Sequence, residues 1–144
     1  MKIRHLFLLL VVFGGLFFAC GKKGPPVPGE IEPLPAVQDL SKSLTGDLLT
    51  LAWSVPERHG KIFKNPAGFK VFRARTSVID SACKDCPDHY RLIADMPVLG
   101  RIKNNRVTYQ ETLEPGYLYK FKVRLYTDRG AESRDSNIVE VLRE

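Results

Sequence analysis

Helical periodicity is missing from this chain. No window of useful length sets apolar residues at a 3.6-residue period between capping residues, which argues against a helical fold. Chemical motifs are equally scarce. There is no glycine-rich phosphate loop and no Gly-x-Ser-x-Gly elbow, so nucleotide binding and serine hydrolysis lack their usual signatures. His59 and His89 have no neighbour at metalloprotease spacing, and Asp and Glu are dispersed without calcium-loop spacing. Basic residues outnumber acidic ones by 22 to 16, for a net charge of +6, yet Lys and Arg are scattered and form no long basic run. A nucleic-acid partner is therefore not expected. The apolar run Leu6 to Phe18 spans about 13 residues. A membrane-spanning helix needs about 20, which argues against the alternative of an uncleaved membrane anchor. Cysteines number only three: Cys20, Cys83 and Cys86.

What is present begins with that apolar run. Lys2, Arg4 and His5 precede it, and Ala19, Cys20 and Gly21 close it. A charged start, an apolar stretch, a small residue and then cysteine is the layout of an export leader. The end of this leader resembles the lipobox of bacterial lipoproteins. That resemblance implies cleavage before Cys20, after its sulfur receives a diacylglycerol. Phe17 and Phe18 depart from the lipobox pattern, which usually has Leu and a small residue there. In enteric lipoproteins Asp after the cysteine marks inner-membrane retention, so Gly21 implies sorting outward. Lys2 and Arg4 leave with residues 1–19, which lowers the net charge from +6 to +4.

Residues 20–36 form a tether in this reading. Residues 21–36 hold five prolines and three glycines, which preclude helix and sheet. As extended polyproline the tether could reach up to about 50 Å. The run Cys20-Gly21-Lys22-Lys23-Gly24-Pro25 also resembles small LptM-type lipoproteins, which associate with the lipopolysaccharide translocon. A plain proline- and lysine-rich tether explains the same composition.

From residue 37 the pattern has period two. Leu49, Leu51 and Trp53 alternate with polar residues; so do Phe69 and Val71, and the long row Tyr119, Phe121, Val123 and Leu125. Such alternation makes strands with one buried face. The spacing predicts strands at 37–43, 48–54, 67–75, 90–96, 105–111, 117–127 and 134–142. These form an all-β, seven-stranded, two-sheet antiparallel sandwich over 37–144.

Leu113-Glu114-Pro115-Gly116-Tyr117-Leu118-Tyr119 resembles the tyrosine corner of fibronectin type III domains. Trp53, the Gly68–Arg73 strand and the Gly130-x-x-Ser133-x-x-Ser136-x-x-Val139 spacing resemble the same immunoglobulin-like family. The resemblance implies a binding or spacing module rather than an enzyme. Its loops 57–66 and 76–89 are longer than usual, and long loops are where function tends to sit.

Cys83-Lys84-Asp85-Cys86-Pro87-Asp88-His89 admits three readings. An exported cysteine pair defaults to a disulfide, the favoured one. A redox pair needs a thiolate stabilised at a helix start, and no helix follows. A zinc site through Cys83, Cys86 and His89 has three local ligands where four are needed. Covalent haem attachment is excluded because Pro87 stands where that motif needs His.

The binding residues expected are Lys70, Phe72, Lys120, Lys122, Arg124 and Tyr126. These outward positions of two strands would pair into a basic face with two aromatics, suited to an anionic partner. The bland alternative is a solvated sheet face. Arg58, Lys61, Lys64 and Arg129 form a second possible basic cluster on loops. The expected function is a non-enzymatic envelope lipoprotein held at the outer membrane through Cys20. It would face the periplasm and present this domain to a protein partner, with no cofactor and no small-molecule substrate. The alternatives are a redox or metal protein using the C-x-x-C loop, and an assembly factor for the lipopolysaccharide translocon.

Overall fold

The computed structural model describes residues 33–79, 87–99 and 102–144. The expected leader, Cys20, Cys83 and Cys86 lie outside the described residues. The remainder is all β, in two facing antiparallel sheets and one small hairpin.

The first sheet has the order β1 (Ser41–Thr45), β2 (Leu48–Ser54), β7 (Arg106–Thr112). The second has the order β6 (Arg91–Pro97), β5 (Gly68–Ser77), β8 (Tyr117–Tyr126), β9 (Val139–Arg143). The hairpin, β3 (Glu57–Arg58) with β4 (Lys61–Ile62), turns at His59 and Gly60 inside the loop after β2.

Alternation along the strands builds the core. Leu49, Leu51 and Trp53 point inward from β2, Phe69 and Val71 from β5, and Tyr119, Phe121, Val123 and Leu125 from β8. All are essentially inaccessible to water. The Trp53 and Phe69 rings meet edge to face across the two sheets, with centroids 5.6 Å apart. Each fully buried side chain of this size contributes roughly 1.5–3 kcal/mol. Gly68 begins β5 because nothing larger fits there. A Cβ at that position would overlap the Tyr126 hydroxyl and approach the Met96 carbonyl oxygen to 2.6 Å.

The central strands fall within two residues of their expected bounds. The two terminal strands do not. The first was expected at 37–43, but β1 covers Ser41–Thr45. Val37 and Leu40 are buried, yet a side chain holds the Leu40 backbone instead of a ladder. The Asn137 amide accepts from Leu40 N–H at 2.9 Å and donates to its carbonyl at 2.8 Å. The last strand was expected at 134–142, but β9 covers Val139–Arg143. Before it, Ser133 and Ser136 replace strand pairing. Their hydroxyls accept from the amides of Leu125 and Val123 at 3.0 and 2.9 Å. Their own N–H groups donate to the carbonyls of the same two residues, at 2.8 and 2.9 Å. These serines are buried because all this polar capacity is used.

The expected corner is present. Tyr119 is buried, and its hydroxyl returns to the backbone of Glu114. Gly116, at φ +86, makes the tight turn between β7 and β8 and donates to the Arg143 carbonyl at 2.7 Å. The strands fix which loops share an end. Pro33 lies beside the β3–β4 hairpin, where Arg58 donates to its carbonyl at 3.0 Å. The loop after β5 leaves from the opposite end, where Val78 N–H donates to Gly116 O at 3.0 Å.

Candidate functional site

The six expected binding residues share one face. In the β5–β8 ladder Lys70 pairs with Arg124, Phe72 with Lys122, Ala74 with Lys120 and Gly68 with Tyr126. The inward neighbours Phe69, Val71, Phe121, Val123 and Leu125 are buried, so period two turns the six outward. All six are half-buried rather than freely solvated.

The reason is a layer of aromatic rings and carboxylates around the cations. Lys70 Nζ sits 5.5 Å from the Tyr126 ring centre, Lys122 Nζ 4.0 Å from Tyr90 and the Arg124 guanidinium 5.1 Å from Phe72. Each cation also meets an acid. Lys70 pairs with Glu132. Lys122 reaches Asp135 at 2.9 Å, and Arg124 reaches the same carboxylate at 2.5 Å and Glu132 at 3.4 Å. Lys120 bridges Asp88 at 3.0 Å and Glu140 at 3.6 Å. Tyr126 donates to Asp95 at 2.7 Å.

These contacts move the titrations. The hydrogen bond to Asp135 holds the Arg124 guanidinium still more basic, and the bond to Asp88 does the same for Lys120. Lys70 draws Glu132 below the usual carboxylate range. Burial pushes Asp135 up, but hydrogen bonds from Arg124 and Lys122 outweigh it and leave the carboxyl low. The bond to Asp95 pushes the Tyr126 phenol up to about 12. The face is thus a charge-compensated lattice, with Asp88, Asp95, Glu132, Asp135 and Glu140 set among four cations. It is not the plain basic strip that the alternation of Lys120, Lys122 and Arg124 suggests.

The acids were the part missed. Glu140 was open to detection, because Val139 and Val141 alternate around it. Glu132 and Asp135 lie in the irregular segment held by Ser133 and Ser136, where no period points them outward. Of the second basic cluster, Arg58 and Lys61 stand opposite each other in the β3–β4 hairpin, and Arg58 also donates to the Pro33 carbonyl and lies 5.6 Å from the Phe63 ring. Of the C-x-x-C constellation only His89 is described. It is exposed and lines a cavity with Arg73, Arg75 and Arg91.

Solved structures share this fold. The third fibronectin III domain of human KIAA0343 protein superposes with a TM-score of 0.54 at 17% identity, over 85% of this chain and 92% of that one. The fold is that of a fibronectin type III domain. The twitchin kinase region from C. elegans matches with a TM-score of 0.52 at 14% identity, over 76% of this chain. Pectate lyase PelI from Erwinia chrysanthemi matches at 0.50 and 20% identity, over 74% of this chain. The match spans 17% of the twitchin chain and 28% of the pectate lyase chain, and at these identities only the fold is shared. No family model matches the sequence, and no curated protein matches it.

Proposed function

We propose that this protein is a non-enzymatic lipoprotein of the cell envelope. Lipidated Cys20 holds it at the outer membrane, and its fibronectin type III-like domain binds a protein partner facing the periplasm. The anchoring rests on the order Lys2, Arg4, Leu6 to Phe18, Ala19-Cys20-Gly21. One observation carries the binding role: the outer face of β5 and β8, where four cations are each held by a carboxylate and three of them, Lys70, Lys122 and Arg124, also stand over aromatic rings.

A prearranged lattice of this kind favours a partner of mixed charge over a uniformly anionic one. Net attraction is weak when acids already neutralise the bases. Orientation is strong, because each side chain is fixed before docking and little rotamer entropy remains to be lost. The test is site-specific photocrosslinking in living cells from the Phe72 and Lys122 positions, with positions on the exposed strand β1 as controls. A discrete crosslinked protein from the β5–β8 face, weakened by Asp135→Lys, supports the reading. Equal crosslinking from β1 contradicts it. Capture of the lipopolysaccharide translocon through residues 20–25 alone would favour the assembly-factor alternative.

A further inference from the structure

The inner side of the same sheet carries a second, unrelated feature at its far end. Arg73 on β5 stands directly opposite Arg91 on β6 in the antiparallel register. Like charges in that position repel and destabilise a sheet. Arg75 lies two residues beyond Arg73 and His89 two before Arg91, and all four line one cavity of about 390 Å³ with Leu92 and Ile93. A volume of this size lies in the range of small-molecule sites and is too small for a folded partner.

Two of the arginines are braced. Arg73 is held by Glu111 at 3.1 Å and lies 5.9 Å from the Tyr119 ring centre. Arg75 is held by Glu114 at 3.1 Å and lies 4.9 Å from the Tyr117 ring centre. Glu114 is the residue whose backbone the Tyr119 hydroxyl grips, so the corner also fixes the partner of Arg75. Arg91 makes no ion pair among the described residues. Among the described residues three guanidiniums thus face two carboxylates, and an imidazole joins them.

We infer that this cavity binds a small organic phosphate. Guanidinium forks fit carboxylates and phosphates alike. A carboxylate presents two oxygens in one plane and is satisfied by one fork. The three terminal oxygens of a phosphate monoester use donors that converge from two strands, as Arg73, Arg75 and Arg91 do. Leu92, half exposed, and Ile93 give the cavity an apolar wall for the organic part. Bound phosphate would relieve the repulsion between Arg73 and Arg91. Arg73, Arg75 and Arg91 lie on the opposite side of the sheet from the proposed docking face, and only Leu92, which stands opposite Phe72, reaches toward that face.

The same phosphate chemistry occurs in free metabolites and in lipid head groups. Two separate titrations distinguish these sources. The test is isothermal titration of the full-length chain in neutral detergent with glycerol phosphate, and separately with short-chain phosphatidic acid. Acetate at matched ionic strength is the control. Saturable one-site binding in either arm, weakened about tenfold or more by Arg91→Gln and by Arg91→Lys, supports the site and names its source. Arg91 is exposed, so both variants keep the fold. Binding in neither arm, equal binding of acetate, or affinity unchanged in both variants would overturn the inference.

Discussion

The Tyr119 hydroxyl makes both hydrogen bonds open to it with one residue, Glu114. It donates to the Glu114 carbonyl and accepts from the Glu114 N–H, each at 3.1 Å. A buried phenol thereby closes the turn between β7 and β8 and leaves none of these three groups unpaired. Tyr119→Phe keeps the ring and removes both bonds. We expect a loss of about 1–2 kcal/mol in denaturant unfolding, with an unchanged slope. A variant as stable as the parent would show that water replaces the hydroxyl without cost.

Trp53 tests the core itself. Its ring is wholly buried, while its Nε1–H has no hydrogen-bond acceptor among the described residues. Trp53→Ala should cost about 3–5 kcal/mol, since the cavity left between the sheets cannot collapse fully. The native emission of this single tryptophan should be that of a dry environment. Emission typical of water would contradict the register of β2.

Asn137 joins the two ends of the domain. Its amide replaces two ladder hydrogen bonds on Leu40, and no other described group takes them. Asn137→Ala should destabilise by about 1–3 kcal/mol. Amide exchange at Leu40 should accelerate more than exchange at Leu51 in the centre of β2. Equal acceleration at both would mean that the first segment is held by burial of Val37 and Leu40 alone.

Most of the fold was legible because burial imposes period two on every strand that crosses the core. Leu49 to Trp53 and Tyr119 to Leu125 are plain in the sequence for that reason. The two end segments were misplaced where side chains took over from the backbone. Ser133, Ser136 and Asn137 supply bonds that alternation cannot foretell. The six face residues were found by the same alternation. Their acidic partners were not, since Glu132 and Asp135 approach from an irregular segment. The Arg73–Arg91 pair needed the register of β5 against β6, which shifts between Val71 and Phe72.

Acid should loosen the outer face first. Glu132 and Asp135 titrate below their ordinary values of 4.5 and 3.8, held down by Lys70, Arg124 and Lys122. A depressed carboxylate contributes stability above its unfolded value and loses it as pH falls through the folded value. Unfolding free energy should therefore stay nearly level from about pH 7 to pH 5 and decline at lower pH. Both groups are partly exposed, so screening keeps the effect small. Asp135→Asn should lower stability at neutral pH and flatten the acid decline. An unchanged decline would place the acid sensitivity elsewhere.

The central claim is that this sandwich works from a lipid anchor at Cys20, and intact-mass spectrometry of protein purified from membranes tests it most directly. The expected mass is that of a chain beginning at Cys20 and carrying acyl groups. Cys20→Ser should yield only the unprocessed or soluble chain. A mature protein with unmodified Cys20 would contradict the anchor and the envelope role built on it.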